Sequence, residues 1–103
     1  MDAPTLEAFK ALSNPVRLQV LACLRDPRAN FPVEQGIANP DEVGVRASQI
    51  QEKTGLAQST VSAYMAALER ADLVTSTRVG KWTHYRRNEE RIEAFVNLLG
   101  RSL

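Results

Sequence analysis

The stretch GLAQSTVSAYMAALERADLV, residues 55–74, begins with a glycine and short polar side chains and continues as a helix with regularly spaced apolar residues. At about 100° per residue, Val61, Met65 and Leu68 share one side of this helix, with Tyr64 at its edge. The opposite side and the exposed first turn carry small or short polar residues: Gln58, Ser59, Thr60, Ser62, Ala63 and Ala66. This composition indicates a helix that lies close against another surface.

A second helix precedes it and completes a helix-turn-helix pattern. Ser48 and Gln51 have the S-x-x-Q spacing of a capping box, which predicts a helix over 48–54 that stops at Gly55, followed by a helix over 58–71. The small outer face of the second helix would let its backbone enter a DNA major groove about 12 Å wide. From these residues alone, packing of that face against another protein helix remains an equal alternative.

The segment LVTSTRVGKWTHYRR, residues 73–87, alternates β-branched, aromatic and basic residues around Gly80-Lys81 and predicts a β-hairpin. Arg78 and Lys81 would form an exposed basic tip, placed to grip a phosphate strand or to enter the minor groove. Tyr85 is expected to face the core. His84 is therefore expected on the surface, and Trp82 is expected either to brace the hairpin or to stack on a sugar or base.

The remaining segments predict helices at both ends and one long connection. The element order is helix, helix, loop, helix, helix, strand, strand, helix, a mostly α fold with a β-hairpin (α+β). The connection, residues 27–44, is rich in Pro, Gly and Asn, and loops of this length are uncommon in compact domains. Its apolar residues Phe31, Val33 and Ile37 are expected to cover exposed core or, alternatively, to line an effector pocket.

Length and composition favour one small folded domain over residues 1–103. The chain has no apolar run long enough for a membrane helix and no basic, apolar leader, so we expect a cytoplasmic protein. Residues 45–88 hold seven of the 13 Lys and Arg and three of the 12 Asp and Glu, which indicates one basic face. A single His and a single Cys provide no catalytic or metal constellation, so neither an enzyme nor a cofactor is expected.

Two stretches resemble the ArsR/SmtB-type winged helix-turn-helix repressors of bacteria. They are ALSNPVRLQVLACL at residues 11–24 and GLAQSTVSAYMAALERADLVTSTRVGKWTHYRR at residues 55–87. The similarity extends over residues 5–26 and 45–88, with the QSTVS helix start, the LERADLV helix exit and the V-G-K…Y hairpin in the family's order.

The resemblance implies a homodimeric, nucleoid-associated repressor that presents two recognition helices to an inverted-repeat operator in double-stranded DNA. It implies base or groove contacts from the second helix and wing contacts from the hairpin: Gln58, Ser59, Thr60, Ser62, Ala63, Arg78 and Lys81. It also implies that the first and last helices pair between protomers through Leu6, Phe9, Ile92, Phe95, Val96 and Leu99.

The sequence departs from the family's sensing sites. Arg46 and Ser48 stand where metal sensors of the family carry a Cys-x-Cys pair, and residues 89–103 contain neither His nor Asp, so we expect no metal site. Cys23 could fill one place of the family's dithiol redox pair, but no second cysteine exists, and a small hydrophobe is the simpler interpretation. An unknown effector stays open, and so does a winged helix that binds a protein partner instead of DNA.

Overall fold

The computed structural model describes residues 2–32 and 40–103. The helices of these segments are α1 (Ala3–Leu12), α2 (Pro15–Cys23), α3 (Pro27–Asn30), α4 (Pro40–Val43), α5 (Ala47–Thr54), α6 (Gln58–Arg70) and α7 (Glu89–Ser102). The strands are β1 (Val45–Arg46), β2 (Val74–Val79) and β3 (Trp82–Arg87). The predicted fold class, a mostly α winged helix-turn-helix, is confirmed.

The predicted hairpin is the outer part of an antiparallel sheet with strand order β1-β3-β2. Strands β2 and β3 pair in register from Val74 opposite Arg87 to Val79 opposite Trp82, which leaves Gly80 and Lys81 as a two-residue loop. Gly80 has a φ of 62°. A positive φ at the first loop residue matches the tight turns whose twist suits a hairpin, and glycine adopts it without strain.

Side-chain caps begin several of the helices. The Asn14 carboxamide oxygen accepts hydrogen bonds from the backbone N–H groups of Val16 (2.9 Å) and Arg17 (3.1 Å), as the Asn14-Pro15 pair predicts. By contrast, Ala57 precedes α6 without any side-chain cap. A missing cap costs roughly 1 kcal/mol, so packing of the apolar face must hold the start of α6 in place.

The core lies beneath α6 and joins the helices to the inner face of the sheet. Val61, Met65 and Leu68 of α6 are at most 4% exposed, which confirms the predicted buried face. The other buried apolar residues of the cluster come from every layer: Ala8, Ala11, Val20, Leu21, Leu24, Phe31, Val45, Ile50, Ala71, Leu73, Val74 and Phe95. Helix α6 is therefore held from behind by the rest of the domain, and its other face points outward.

The described ends of the 27–44 connection contain two short helices, α3 and α4. Helix α2 ends at Cys23, and Pro27 begins the short helix α3. The Asp26 carboxylate caps α3 by accepting from the Ala29 N–H at 3.3 Å. Phe31 is buried in the core, as expected of an anchor that covers it. Val33 and Ile37 lie outside the described residues.

Strand β1 was not predicted from the sequence, because two residues give no alternation to recognise. It pairs with β3, Val45 opposite Tyr85, and it depends on a glycine before it. Gly44 has a φ of 97°, and a Cβ at this position would collide with the Tyr85 backbone carbonyl. The strand therefore forms only because Gly44 allows the chain to approach β3 closely.

The predicted Ser48–Gln51 capping box is wrong. Strand β1 leads directly into α5, so Arg46 is the cap position and Ala47 the first helical residue. The Gln49 side-chain oxygen accepts from the Arg46 backbone N–H at 3.4 Å, and its amide nitrogen donates to the Pro32 carbonyl at 2.6 Å. Gln49 thus serves both the helix start and the connection that precedes it.

Candidate nucleic-acid interface

The turn between α5 and α6 sets the angle between these two helices. Helix α5 ends at Gly55, whose φ is 72°, and the Gly55 N–H donates to the Gln51 carbonyl at 2.9 Å. The Thr54 hydroxyl donates to the Ile50 carbonyl at 2.9 Å and accepts from the Leu56 N–H at 3.3 Å. These bonds fix the turn that the sequence places at residues 55–57.

The outer face of α6 is open. Gln58, Ser59, Ser62 and Ala63 are exposed, and Thr60 is half-buried. Four of these side chains are no larger than threonine, and Gln58 is a flexible chain that ends in an amide. The backbone of the first two turns can therefore come close to a flat or grooved surface. The predicted division of α6 into a buried apolar side and an exposed small side is thus present in the structure.

Arg17 supports α6 from behind, a role that sequence reasoning missed. Its guanidinium Nε donates to the Ala11 carbonyl at 2.6 Å and one Nη donates to the Lys10 carbonyl at 3.3 Å, which satisfies the last turn of α1. The same guanidinium lies 5.1 Å from the centre of the Tyr64 ring on α6. The only available signal was its place in the first helix turn after Asn14-Pro15.

The β2–β3 hairpin, residues 74–87, is the wing of this fold and presents the two predicted cations at its end. Arg78 lies opposite Thr83 near the tip of β2, and Lys81 occupies the two-residue loop; both are exposed. The Lys81 ammonium lies 5.3 Å from the centre of the Trp82 ring, and Trp82 is itself 44% exposed.

A groove of about 260 Å³ runs between α5, α6 and the wing. It brings together three of the predicted contact residues, Gln58 and Ser62 of α6 and the more distant Lys81 of the hairpin loop. Ser59, Thr60, Ala63 and Arg78 do not line it. The other lining residues are Arg46, Ala47, Ser48, Gln51, Val61, Trp82, Thr83 and Tyr85.

Two arginines of the basic segment serve the fold instead. Arg86 donates through Nη1 to the Glu42 carbonyl at 2.7 Å. Arg87, whose side chain is 13% exposed, donates to the Leu21 carbonyl at 3.1 Å and to the Glu89 carboxylate at 3.0–3.1 Å. The charge excess of residues 45–88 therefore overstates the cationic surface available to a partner.

The predicted surface position of His84 is wrong. Tyr85 does pack against the core side of the sheet, and His84 points to the other side, yet its exposure is 2%. In the sheet His84 lies between Arg46 of β1 and Thr77 of β2, so the unpredicted strand β1 flanks it on one side. Among the described residues neither ring nitrogen of His84 has a hydrogen-bond partner.

Burial also affects Tyr85. Desolvation of the phenol, with a smaller contribution from the Glu69 carboxylate, raises the pKa of Tyr85 above its ordinary value of 10.0. The Tyr85 hydroxyl is thus uncharged at neutral pH, and Tyr85 lines the groove as a neutral phenol.

The terminal helices α1 and α7 pack against each other within the chain. The rings of Phe9 and Phe95 meet edge to face at 5.1 Å between centroids, and Phe95 is 5% exposed. Leu6 and Val96 are 47% and 57% exposed, while Phe9, Ile92 and Leu99 are half-buried. Phe95 therefore contributes to the core of one chain, and the other five leave apolar surface outside.

Two features of residues 2–32 and 40–103 bear on other functions. No group of three His, Cys, Asp or Glu side chains among them is placed to hold a metal ion. No helix there is long and apolar enough to cross a membrane. Cys23 is free and half-buried against the core.

A helix-turn-helix with an exposed small face, continued by a hairpin with a cationic end, defines the class of winged helix-turn-helix DNA-binding proteins. Comparison with known proteins agrees. The profile of the IclR helix-turn-helix domain matches residues 37–78. An uncharacterised HTH-type transcriptional regulator of Bacillus subtilis, YbzH, is 44% identical over 94 residues, which span 91% of this chain and 93% of that protein. The chain therefore belongs to the HTH-type transcriptional regulators and is a DNA-binding regulator of transcription.

Solved structures share the whole fold. HlyU from Vibrio cholerae is 25% identical, with a TM-score of 0.66 over 96% of this chain and 90% of that one. The homodimeric winged helix-turn-helix DNA-binding domain of Mb0332 from Mycobacterium bovis, described as a possible ArsR-family regulator, is 28% identical. Its TM-score is 0.66 over 93% of this chain and 75% of that one.

Proposed function

We propose that residues 1–103 form an ArsR-type repressor that acts as a homodimer on an inverted-repeat operator in cytoplasmic, nucleoid DNA. Helix α6 enters the major groove of each half-site, and the wing contacts the flanking backbone. Binding at a promoter then excludes the transcription machinery. The likeness to the Mb0332 domain and the ArsR/SmtB motifs of residues 11–24 and 55–87 support this assignment.

The observation that carries the proposal is the groove that joins α6 to the wing. Gln58 and Ser62 lie on one side of it and Lys81 on the other, so groups suited to base edges and a group suited to phosphate face the same space. Ser59, Thr60 and Ala63 extend the contact along the outer face of α6, and Arg78 extends it along the wing. We assign sequence preference to α6 and general affinity to the wing.

Selection of bound sequences from random duplex DNA tests the proposal. Two similar half-sites in inverted order, about 10–10.5 base pairs or a multiple of this apart, are expected, because a dimer places its two recognition helices on one face of the duplex. In repeated selections, Gln58→Ala and Ser62→Ala should recover altered half-sites. No enrichment from any pool would contradict the DNA-binding proposal and favour a winged helix that binds a protein.

The dimer is proposed on the apolar residues that α1 and α7 leave outside, chiefly Leu6 and Val96. Sedimentation of the wild-type chain at micromolar concentration should give twice the monomer mass. Val96→Glu should give a monomer, since it buries a charge in the interface. Leu18→Glu is the matched control, because Leu18 is 51% exposed on α2 outside this surface. A wild-type monomer, or a Val96→Glu dimer, would contradict this interface.

A change in the angle between protomers would alter the separation of the two α6 helices, and an effector could act through that angle. The described residues offer no metal cluster for such an effector.

A further inference from the structure

Arg46 and Trp82 form an ordered pair at the root of the wing. Arg46 ends β1 opposite His84 and is the cap residue before α5, so its backbone is fixed by both elements. Its guanidinium carbon lies 4.4 Å from the centre of the Trp82 ring, a close cation–π contact. Lys81, the next residue to Trp82, places its ammonium 5.3 Å from the same ring.

Arg46, Lys81 and Trp82 all line the groove between α5, α6 and the wing. Gln58 and Ser62 of α6 line the same groove. The groove thus contains two cationic side chains, Arg46 and Lys81, beside the polar side chains of α6. Contact with the Trp82 ring restricts the rotamers of the Arg46 side chain. This restriction reduces the conformational entropy that Arg46 loses when its guanidinium binds an anion. In a DNA-binding protein the anion that reaches such a groove is a backbone phosphate.

We propose that Arg46 is a DNA-contacting residue whose guanidinium, oriented by the Trp82 ring, binds a backbone phosphate in the groove between α6 and the wing. Trp82 is then a positioning residue that acts through Arg46. This inference rests on the DNA-binding function proposed above and adds a third element, the start of α5, to the contacts of α6 and the wing tip.

Arg86 provides a matched control on the same strand. Like Trp82 it belongs to β3, and it is exposed, but its guanidinium donates to the Glu42 carbonyl and it does not line the groove. Loss of Arg86 removes one positive charge from the same sheet without removing a groove contact. A general effect of net charge is thereby separated from a specific phosphate contact.

The experiment measures the affinity of a fluorescein-labelled 30-base-pair duplex of arbitrary sequence by anisotropy, between about 50 and 200 mM salt. Phosphate contacts do not depend on sequence, so the operator need not be known. The proteins are wild type, Arg46→Gln, Arg86→Gln, Trp82→Ala, Trp82→Phe and the double variant Trp82→Ala with Arg46→Gln. Circular dichroism verifies that each variant is folded.

Each phosphate contact contributes about 0.9 to the slope of log K against log salt, so a dimer without Arg46 loses about 1.8. Between 50 and 200 mM salt, the affinity of the Arg46→Gln dimer should therefore fall by a factor about 12 times smaller than the factor for the wild type. Arg86→Gln should keep most of the wild-type slope. Trp82→Ala should weaken binding more in the wild-type background than in the Arg46→Gln background, where only the contact of the ring with Lys81 is lost. Trp82→Phe should restore binding.

Three results would overturn the inference, and they differ from one another. A wild-type slope in Arg46→Gln would show that Arg46 makes no phosphate contact. Equal losses from Trp82→Ala in both backgrounds would show that Trp82 acts independently of Arg46. A wild-type chain that binds no duplex would instead contradict the proposed function itself, and the inference with it.

Discussion

Arg17 and Arg87 carry the same formal charge as Arg78 and Lys81, yet the two pairs differ in everything that decides their function. The first pair donates to backbone carbonyls of α1 and α2, at Ala11, Lys10 and Leu21. The second pair lies at the exposed end of the wing. A count of basic residues treats all four as one surface, whereas the structure separates cations that hold the domain together from cations that are available to a partner.

The largest expected effect is that of Arg87→Ala on stability. Arg87 makes a charge-assisted hydrogen bond to the Leu21 carbonyl and is largely buried, whereas its partner Glu89 is 64% exposed and contributes little. We expect the free energy of unfolding to fall by about 3 kcal/mol in urea titration. Arg78→Ala is the control and should lie within about 0.5 kcal/mol of wild type. Equal losses from both variants would abolish the distinction drawn here.

Arg17→Ala should have a somewhat smaller effect, about 2 kcal/mol, from the carbonyl hydrogen bonds and the contact with Tyr64. Because Tyr64 belongs to α6, amide exchange in α6 should also accelerate more than exchange in the wing. Arg17→Lys keeps the charge but not the planar group, so it should recover only part of the loss. Complete recovery by lysine would show that charge alone matters.

Arg78→Ala or Lys81→Ala should leave stability unchanged and weaken binding to every DNA sequence alike. If each proposed phosphate contact is made once per protomer, either variant removes about 1.8 from the salt slope of a dimer, or about 1.5 kcal/mol between 50 and 200 mM salt. Anisotropy titrations of the selected duplex and of an unrelated duplex provide the measurement. A loss confined to the selected duplex would assign sequence discrimination, and not general affinity, to the wing.

The smallest expected effect concerns pH and Tyr85. Its folded-state pKa is raised by burial and by Glu69, so its contribution to stability is complete below its unfolded value of 10.0 and is lost as pH rises through the folded pKa. The unfolding free energy of the wild type should therefore fall more between pH 9 and about pH 11 than that of Tyr85→Phe. Parallel curves for the two proteins would show that the phenol is not desolvated.

The helix-turn-helix and the hairpin could be predicted because their signals are local. The 3.6-residue spacing of Val61, Met65 and Leu68, the glycine that ends α5 and the two-residue loop at Gly80-Lys81 all lie within the elements they specify. The outer face of α6 follows from the same periodicity. The predicted DNA contacts and the dimer residues remain predictions, since they depend on partners outside this chain.

What could not be predicted depends on contacts between distant segments. Strand β1 has only two residues and forms on β3, which is 40 residues away along the chain. The unpredicted strand also places Arg46 beside the buried His84 and leads directly into α5, whose start at Ala47 displaced the expected Ser48–Gln51 box. Arg87 meets a carbonyl 66 residues away, and no spacing rule connects it to Leu21.

The most direct test of the central claim, that two copies of α6 and the wing bind one duplex together, is a stoichiometric anisotropy titration of the selected inverted repeat at several salt concentrations. The account predicts saturation at two protomers per duplex and a steep fall of affinity with salt. It also predicts weaker binding when one half-site is scrambled. Saturation at one protomer per duplex, with equal affinity for the scrambled site, would contradict it.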